Sequence, residues 1–429
     1  MKIILFLFLF FMTCPIFSQD YNFDISKFKK KSFEFSSTAE FRPSCIFLEK
    51  ENLSWKLKYY NKNNSPDFID TYLLLIEPIT KYEKNGLLFY CSGDIRIAYN
   101  NFENDCENDT SLLEGYGKYE FNSRWNINFG KKLYKWGKGY IYNPMSYAGR
   151  QKDVNDTDAS LEGYYSASLE YIRSFSSKII KNLSHEFVFI PVLDNVNNDY
   201  GKGDNNWLFS RSHFLIVNTD YEFIFAISED FDYKAGAAAA YNIFTNWAVH
   251  GEISFLPETE KMLIAGNGCS ELQTINNTIQ SIIGTRYLSP FNATFFLEYI
   301  YNESGLTKQE MQDWYISAES ILDTHNTAAI NSISKEWFLN MNKQFIMKDY
   351  LYFKMQYPEP FNFLYCTPSV YSLFNIVDKS FLGGVDVDYK RFSNFSFNIK
   401  LFGFGGRKRS EFGSKISELK AEVRVKYFY

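Results

Sequence analysis

Beyond its first eighteen residues the chain has no run of about 18 apolar residues, which excludes a helical membrane span there. Histidine is scarce: His185, His213, His250 and His325 are far apart and lack any HExxH spacing, so no metal site is expected. No GxSxG nucleophile elbow occurs, and Gly201-Lys202-Gly203 is not a full P-loop, so neither an enzyme nor a cofactor is expected. Five cysteines lie beyond residue 18, namely Cys45, Cys91, Cys106, Cys269 and Cys366, without a CxxC pair. An odd number cannot all pair internally; Cys91 and Cys106 could bridge if they flank one loop, although scattered small residues are the preferred reading. Basic charge is not in excess, and a net charge of −5 argues against a nucleic-acid partner.

What the chain has instead is aromatic side chains. They make up 19% of it, with 43 Phe and 32 Tyr, yet the mean hydropathy is −0.29. A membrane β-barrel reconciles the two, since an apolar exterior with aromatic girdles averages against a polar lumen. The N-terminus fits export. Lys2 precedes the apolar run 3–12, and Ile16 and Ser18 suit a signal peptidase cutting before Gln19, so 1–18 is expected to be a signal peptide.

The remaining sequence alternates with the two-residue period of strands. At its end, Leu419, Ala421, Val423, Val425, Tyr427 and Tyr429 share one face, while Lys420, Glu422, Arg424, Lys426 and Phe428 share the other. An amphipathic last strand with an aromatic end is what outer-membrane barrels carry for assembly, and Val425, Tyr427 and Tyr429 are the expected signal. Similar alternation runs through 247–255, 292–301, 351–357 and 395–401, each about long enough to cross hydrocarbon as a tilted strand.

Short links at 122–124, 218–220, 290–291 and 391–393 contrast with long ones at about 135–163, 191–207, 256–279, 302–335 and 405–417. Short periplasmic turns and long extracellular loops would give that contrast. The expected fold is an all-β transmembrane antiparallel barrel of about 18 strands, in the range 16–20. Residues 19–52 are read as a lead-in or first strand, and 53–429 as the barrel. Thr307 and Glu310 mark a capping box, so a short helix is expected in the 302–335 link.

The stretch GKKLYKWGKGYIYN, followed by Pro144, is the most distinctive. Its Trp136, Gly137 and Gly139, with the Asn143-Pro144 turn, suit either a loop folded into the barrel mouth or an aromatic belt at the membrane edge. The structural role is preferred, with any constriction as its by-product. Lys131, Lys132, Lys135 and Lys138 would line the path. Inward positions elsewhere include Lys56, Lys58, Asp94, Arg96, Glu114, Lys118, Glu120, Arg286, Glu298, Lys354, Asp386, Asp388, Lys400, Glu422 and Arg424. Both signs occur, so the wall either sets opposed charge ladders or merely neutralises itself. His250 and Glu252 read as a polar pair in a hydrated wall. The oxygen-rich stretches 153–158 and 194–199 read as solvated loops; counted from Asp153, the former lacks the Gly and Glu that an EF-hand needs.

The segments LLEGYGKYEF, NFGKKLYKWGKGYIYNP and KDVNDTDASLEGYYSASLEY resemble the porin-like and alginate-export-like outer-membrane barrels, in which a Gly-Lys-Gln, Trp-Gly-x-Gly, Asn-Pro pattern precedes a Lys/Arg-Asp-Pro segment. Here Lys132 replaces the usual Gln, and Val154 and Thr157 stand where prolines are expected. The resemblance implies a barrel with a transport role. The expected function is therefore a channel in a Gram-negative outer membrane passing small hydrophilic solutes. Its partners would be lipid, lipopolysaccharide and the barrel-assembly machinery. The alternative is a non-conducting barrel that displays its loops, in adhesion or in association with a polysaccharide.

Overall fold

The computed structural model describes residues 32–61, 66–157, 159–201, 205–230, 232–264 and 270–429. The expected signal peptide lies outside them. Among the described residues eighteen strands form one sheet. The first six are β1 Phe33–Leu48, β2 Phe68–Lys84, β3 Leu87–Asn100, β4 Asp105–Glu120, β5 Trp125–Lys132 and β6 Tyr164–Ser174. Next come β7 Ile180–Ile190, β8 Trp207–Ile216, β9 Thr219–Ser228, β10 Tyr233–Phe244, β11 Trp247–Ile264 and β12 Ser270–Leu288. The last six are β13 Thr294–Asn302, β14 Asp349–Gln356, β15 Cys366–Asn375, β16 Ser380–Tyr389, β17 Phe395–Gly405 and β18 Ser417–Phe428. Each strand pairs antiparallel with its sequence neighbours, and β1 pairs with β18 from Thr38↔Phe428 to Leu48↔Ser417, which closes the ring.

Alternation decides which side chains face out. On β5, Asn126 and Asn128 are buried while Ile127 and Phe129 are exposed, Phe129 at 75%. On β9, Glu222, Ile224 and Ala226 are buried between exposed Phe223 and Phe225. An outer face this apolar belongs in hydrocarbon, where only a closed ring leaves no strand edge unsatisfied. The strands are joined at one end by tight turns. Three of them have two residues, 85–86, 217–218 and 245–246, and at Asn85-Gly86 both residues have the positive φ of a type I′ hairpin turn. The other end carries the long loops. Residues 33–48, open between lead-in and strand on sequence grounds, are β1.

Several sequence expectations change. The supposed link 256–279 is mostly strand, because β11 and β12 remain paired out to Ile264↔Ser270, well past the neighbouring strands. The loop after β13 holds two helices rather than one, since Asn326 caps a second one. Lys56 and Lys58 are not on a strand but in a short helix, α1 Leu53–Lys58, of the β1–β2 loop. Asp156 and Asn197 are not solvated loop residues. Asp156 meets Arg42 and Arg424 inside the ring at 3.2 and 2.9 Å, and Asn197 is buried, bonding the backbone N–H and C=O of Tyr165. Cys45, Cys91, Cys106 and Cys366 are all free, so the Cys91–Cys106 bridge does not form.

Helices α2 Lys308–Asp323 and α3 Thr327–Met341 build a cap at the loop end. The Thr307/Glu310 capping box is present as expected. Trp314, Tyr315, Ile330 and Trp337 are fully or almost fully buried, and they join Tyr142, Phe345 and Tyr352 in one apolar cluster with Leu53 and Leu57 of α1. Trp337 Nε1 donates to Ser54 Oγ at 2.9 Å, pinning α3 to α1. The β17–β18 loop, 406–416, seals the other side. There the fully enclosed Glu411 accepts hydrogen bonds from Tyr350 OH at 2.7 Å and Asn375 Nδ2 at 2.6 Å. Its backbone N–H donates to Asp378. Burial pushes the Glu411 carboxyl up to about 7, against the opposing pull of Lys415.

Two outcomes follow for the cap. Trp337→Ala leaves a large void and should destabilise the cap by about 3–5 kcal/mol, read as faster proteolysis within 303–348 while the barrel itself stays resistant. A carboxyl held above its ordinary value of 4.5 favours the folded cap at low pH, and that contribution is lost as pH rises through about 7. Cap opening, followed by hydrogen exchange of 406–416, should therefore increase between pH 5 and pH 8 by an amount on the order of 3 kcal/mol. Glu411→Gln should flatten the profile.

Candidate functional site

The loop 133–163, between β5 and β6, turns into the ring instead of away from it. It does not form a belt at the membrane edge. Its Trp-Gly-Lys-Gly-Tyr-Ile segment exposes consecutive backbone N–H groups that no strand or helix satisfies, and a buried amide needs an acceptor. Two wall carboxylates supply it. Glu252 of β11 accepts from the N–H groups of Lys138 and Gly139 through Oε1. Glu298 of β13 accepts from Tyr140 at 2.6 Å and Ile141 at 3.0 Å through its two oxygens. His250 Nε2 lies 2.7 Å from Glu298 Oε1, so this histidine belongs to Glu298 and not, as the sequence suggested, to Glu252.

The motif glycines make that approach possible. Gly137 has φ +97, and a Cβ there would lie 2.7 Å from Glu252 Oε1. At Gly139 a Cβ would lie 1.9 Å from the Tyr142 carbonyl oxygen. Trp136 is buried against Tyr134 and Phe209, with ring centroids 5.3 and 5.7 Å away. Tyr140 stacks on Phe296 at 4.6 Å and receives a hydrogen bond from Lys354 Nζ at 2.7 Å. Asn143 accepts from Ser146 N–H at 3.1 Å, closing the turn around buried Pro144.

Charges alternate along the wall beneath the loop. Lys132 faces Glu186 at 3.6 Å, Glu186 faces Arg211 at 3.8 Å, Arg211 meets Glu222 at 2.8 Å, and Glu222 faces Lys138 at 3.5 Å. A second network ties the loop across the ring closure. Asp156 bonds Arg42 of β1 and Arg424 of β18, and Glu40 pairs with Arg42 at 2.7 Å and Lys426 at 3.0 Å. Glu422 and Arg424 pair at 2.6 Å. The loop thus reaches from β8 and β9 to the β18–β1 seam.

What remains open lies between the loop and the β2–β4 wall, a cavity of 610 Å³. Glu77, Ser92 and Glu114 line it from the strands; Lys135, Lys138, Arg150 and Lys152 line it from the loop. Glu114 also accepts from Leu133 N–H at 2.9 Å. Lys138 and Arg150 are paired with Glu222 and Asp199. Lys135 is exposed and makes no ion pair among the described residues.

The expected pore residues therefore divide. Lys132, Lys138, Glu114, Glu298 and Arg424 face inward and touch the loop or its supports. Asp94 and Arg96 sit together on β3, 3.4 Å apart, and Lys118 and Glu120 pair at 2.8 Å near the turn end. Arg286, also exposed, lies inward toward that end on β12, in register with Phe296. Lys131 is a correction. It shares a face of β5 with Ile127 and Phe129, and it pairs with Glu162 while lying over the Tyr165 ring at 5.4 Å. Two consecutive strand residues cannot both face the lumen. Val425 and Tyr427 face outward, and Tyr429 exchanges backbone hydrogen bonds with Ser37 at the seam. Sequence reasoning missed Glu77, Glu222, Asp156 and Arg42 as site residues. For Glu222 the available signal was a lone carboxylate between Tyr221 and Phe223 on an otherwise apolar strand; nothing in the local sequence marks Asp156 or Arg42.

Glu298→Ala strands two loop amides and His250. Hydrogen bonds to charged groups contribute about 1.5–3 kcal/mol each, so backbone exchange at Tyr140 and Ile141, the two amides that Glu298 holds, should accelerate by more than tenfold. Unchanged exchange there would show that Glu298 does not hold the loop.

No protein-family model and no curated protein matches the sequence. Solved structures do match it. The Pseudomonas aeruginosa proteins OccK7 (OpdD) and OccK5 (OpdH) align over 92% of this chain and 98% of each of theirs, at 10% and 8% identity, with TM-scores of 0.52 and 0.50. A triple mutant of the Rhodopseudomonas blastica porin aligns over 92% of this chain and 100% of its own, at 12% identity and a TM-score of 0.44. At such identities the likeness is one of fold, a closed antiparallel barrel in which this chain has eighteen strands.

Proposed function

We propose that this chain is an outer-membrane channel through which small hydrophilic solutes diffuse past the loop 133–163. The observation that carries this reading is the water-accessible cavity left between that loop and the β2–β4 wall, lined by charged side chains. Carboxylates of Glu77 and Glu114 lie on the strand side, and Lys135, Lys138, Arg150 and Lys152 on the loop side. Opposed signs across a narrow path set a field perpendicular to the direction of travel, which favours small dipolar or hydrated solutes over greasy ones. The turn end would face the periplasm and the capped end the exterior.

The lining of the cavity argues against a specialised exporter of acidic polysaccharide, which would need a strongly basic constriction without Glu77 and Glu114 in it. The rival reading, a barrel that only displays its loops, draws support from the apolar cap core on the side of β12–β16. Conductance separates the two. Reconstituted in planar bilayers, the chain should give discrete conductance steps, and Lys135→Glu should shift their selectivity toward cations. Silence across repeated reconstitutions would remove the channel reading. Steps of unchanged selectivity would take Lys135 out of the path.

A further inference from the structure

The β14–β15 connection, 357–365, differs from every other described connection at the turn end. It is the longest of them, and its sequence, YPEPFNFLY, puts large apolar side chains outside the ring. Phe361 is 94% exposed, and Phe363, Leu364 and Tyr365 are exposed beside it. Elsewhere on a protein such a cluster would face water at a cost, so it marks an interaction surface.

The backbone is built to hold these side chains out. Glu359, Phe361, Asn362 and Tyr365 all have positive φ, between 51 and 66, a conformation that a bulky side chain adopts only where its surroundings impose it. Here the frame is explicit. Tyr357 N–H donates to the Pro368 carbonyl at 3.0 Å, Glu359 N–H to Cys366 at 2.7 Å, and Phe363 N–H to Pro360 at 2.9 Å. The Glu359 carboxylate accepts from Tyr365 N–H at 3.0 Å, and Lys390 N–H donates to the Tyr365 carbonyl at 3.0 Å. Five bonds fix a strained loop whose apolar tips contact little of the protein.

The direction of those tips identifies what covers them. Tyr357 continues the outward face of Leu351, Phe353 and Met355 on β14, and its ring lies 6.3 Å from Phe361. Phe363 stacks at 6.2 Å on Tyr389, which continues the outward face of Phe381 and Val385 on β16. The loop therefore extends the hydrocarbon-facing surface past the ends of the strands, and it does not fold beneath the pore. From this continuity we infer that 357–365 is a membrane-surface anchor. It inserts Phe361, Phe363 and Leu364 into the phospholipid leaflet at the turn end, at the boundary between headgroups and acyl chains where aromatic rings partition. The inference rests on the membrane reading of the barrel.

Tryptophan emission tests it in the full chain reconstituted into vesicles of phosphatidylcholine brominated near the headgroup. The signal is the emission that Phe361→Trp adds to that of the unsubstituted protein, with Phe353→Trp as a reporter on the strand face. The expected result is loss of the added emission at Phe361→Trp to the same extent as at Phe353→Trp, together with protection from aqueous iodide. Quenching at Phe353→Trp with none at Phe361→Trp would place the loop in water or on a protein partner and overturn the anchor alone. Absence of quenching at both would overturn the membrane reading itself. Should Phe361→Trp not assemble, Leu364→Trp, at a position without positive φ, carries the same two outcomes.

Discussion

Everything in this molecule follows from the need to satisfy backbone N–H and C=O groups where water is absent. In hydrocarbon an unpaired amide costs several kcal/mol, so the strands close into a ring and β18 finds its partner in β1. Closure leaves an interior, and the interior repeats the problem on a smaller scale. A loop that crosses it carries its own unpaired amides. Four successive N–H groups, from Lys138 to Ile141, are met by two carboxylates on the wall. Glu252 and Glu298 thus do for the loop what neighbouring strands do for each other.

Placing carboxylates inside the ring has its own consequence, since a buried charge must be paired. The chain Lys132, Glu186, Arg211, Glu222, Lys138 alternates in sign across β5, β7, β8, β9 and the loop. The cluster around Asp156 does the same across β1 and β18. Both networks fix the loop laterally while the amide contacts fix its height. The 610 Å³ cavity is accordingly the space that these attachments leave over, bounded by β2 to β4, where few groups bind the loop. The aromatic cap fills the opposite side, so the interior is divided between a packed apolar region and an open one lined by charged side chains.

Much of the fold was legible because strand alternation survives in any environment. The number of strands, the tight turns and the outward faces of β13, β14, β17 and β18 could all be read from side-chain period. Legibility failed where period gave way to packing. The outer parts of β11 and β12 carry polar side chains on both faces, so they read as a loop, although their mutual pairing holds them extended. Helix α3 was missed although Ile330, Ile333, Trp337 and Met341 recur at helical spacing behind the Asn326 cap; what that apolar face packs against, α1 and α2, only the fold shows. Asp156 read as solvated because acidic loops usually are, and its two arginines come from the opposite ends of the chain.

The sequence by itself determined the architecture. A two-residue period with aromatic outer faces admits no other arrangement in hydrocarbon, and the Trp-Gly-x-Gly motif marked where the chain departs from that period. Only the tertiary structure decided what the departure is for. The alternation of β5 through Ile127 and Phe129 already turns Lys131 away from the lumen and Lys132 toward it, but whether a wall carboxylate is a free charge or an anchor depends on which segment lies across from it. Those partners are brought together by ring closure, which joins residues far apart in the chain and leaves no trace in local pattern.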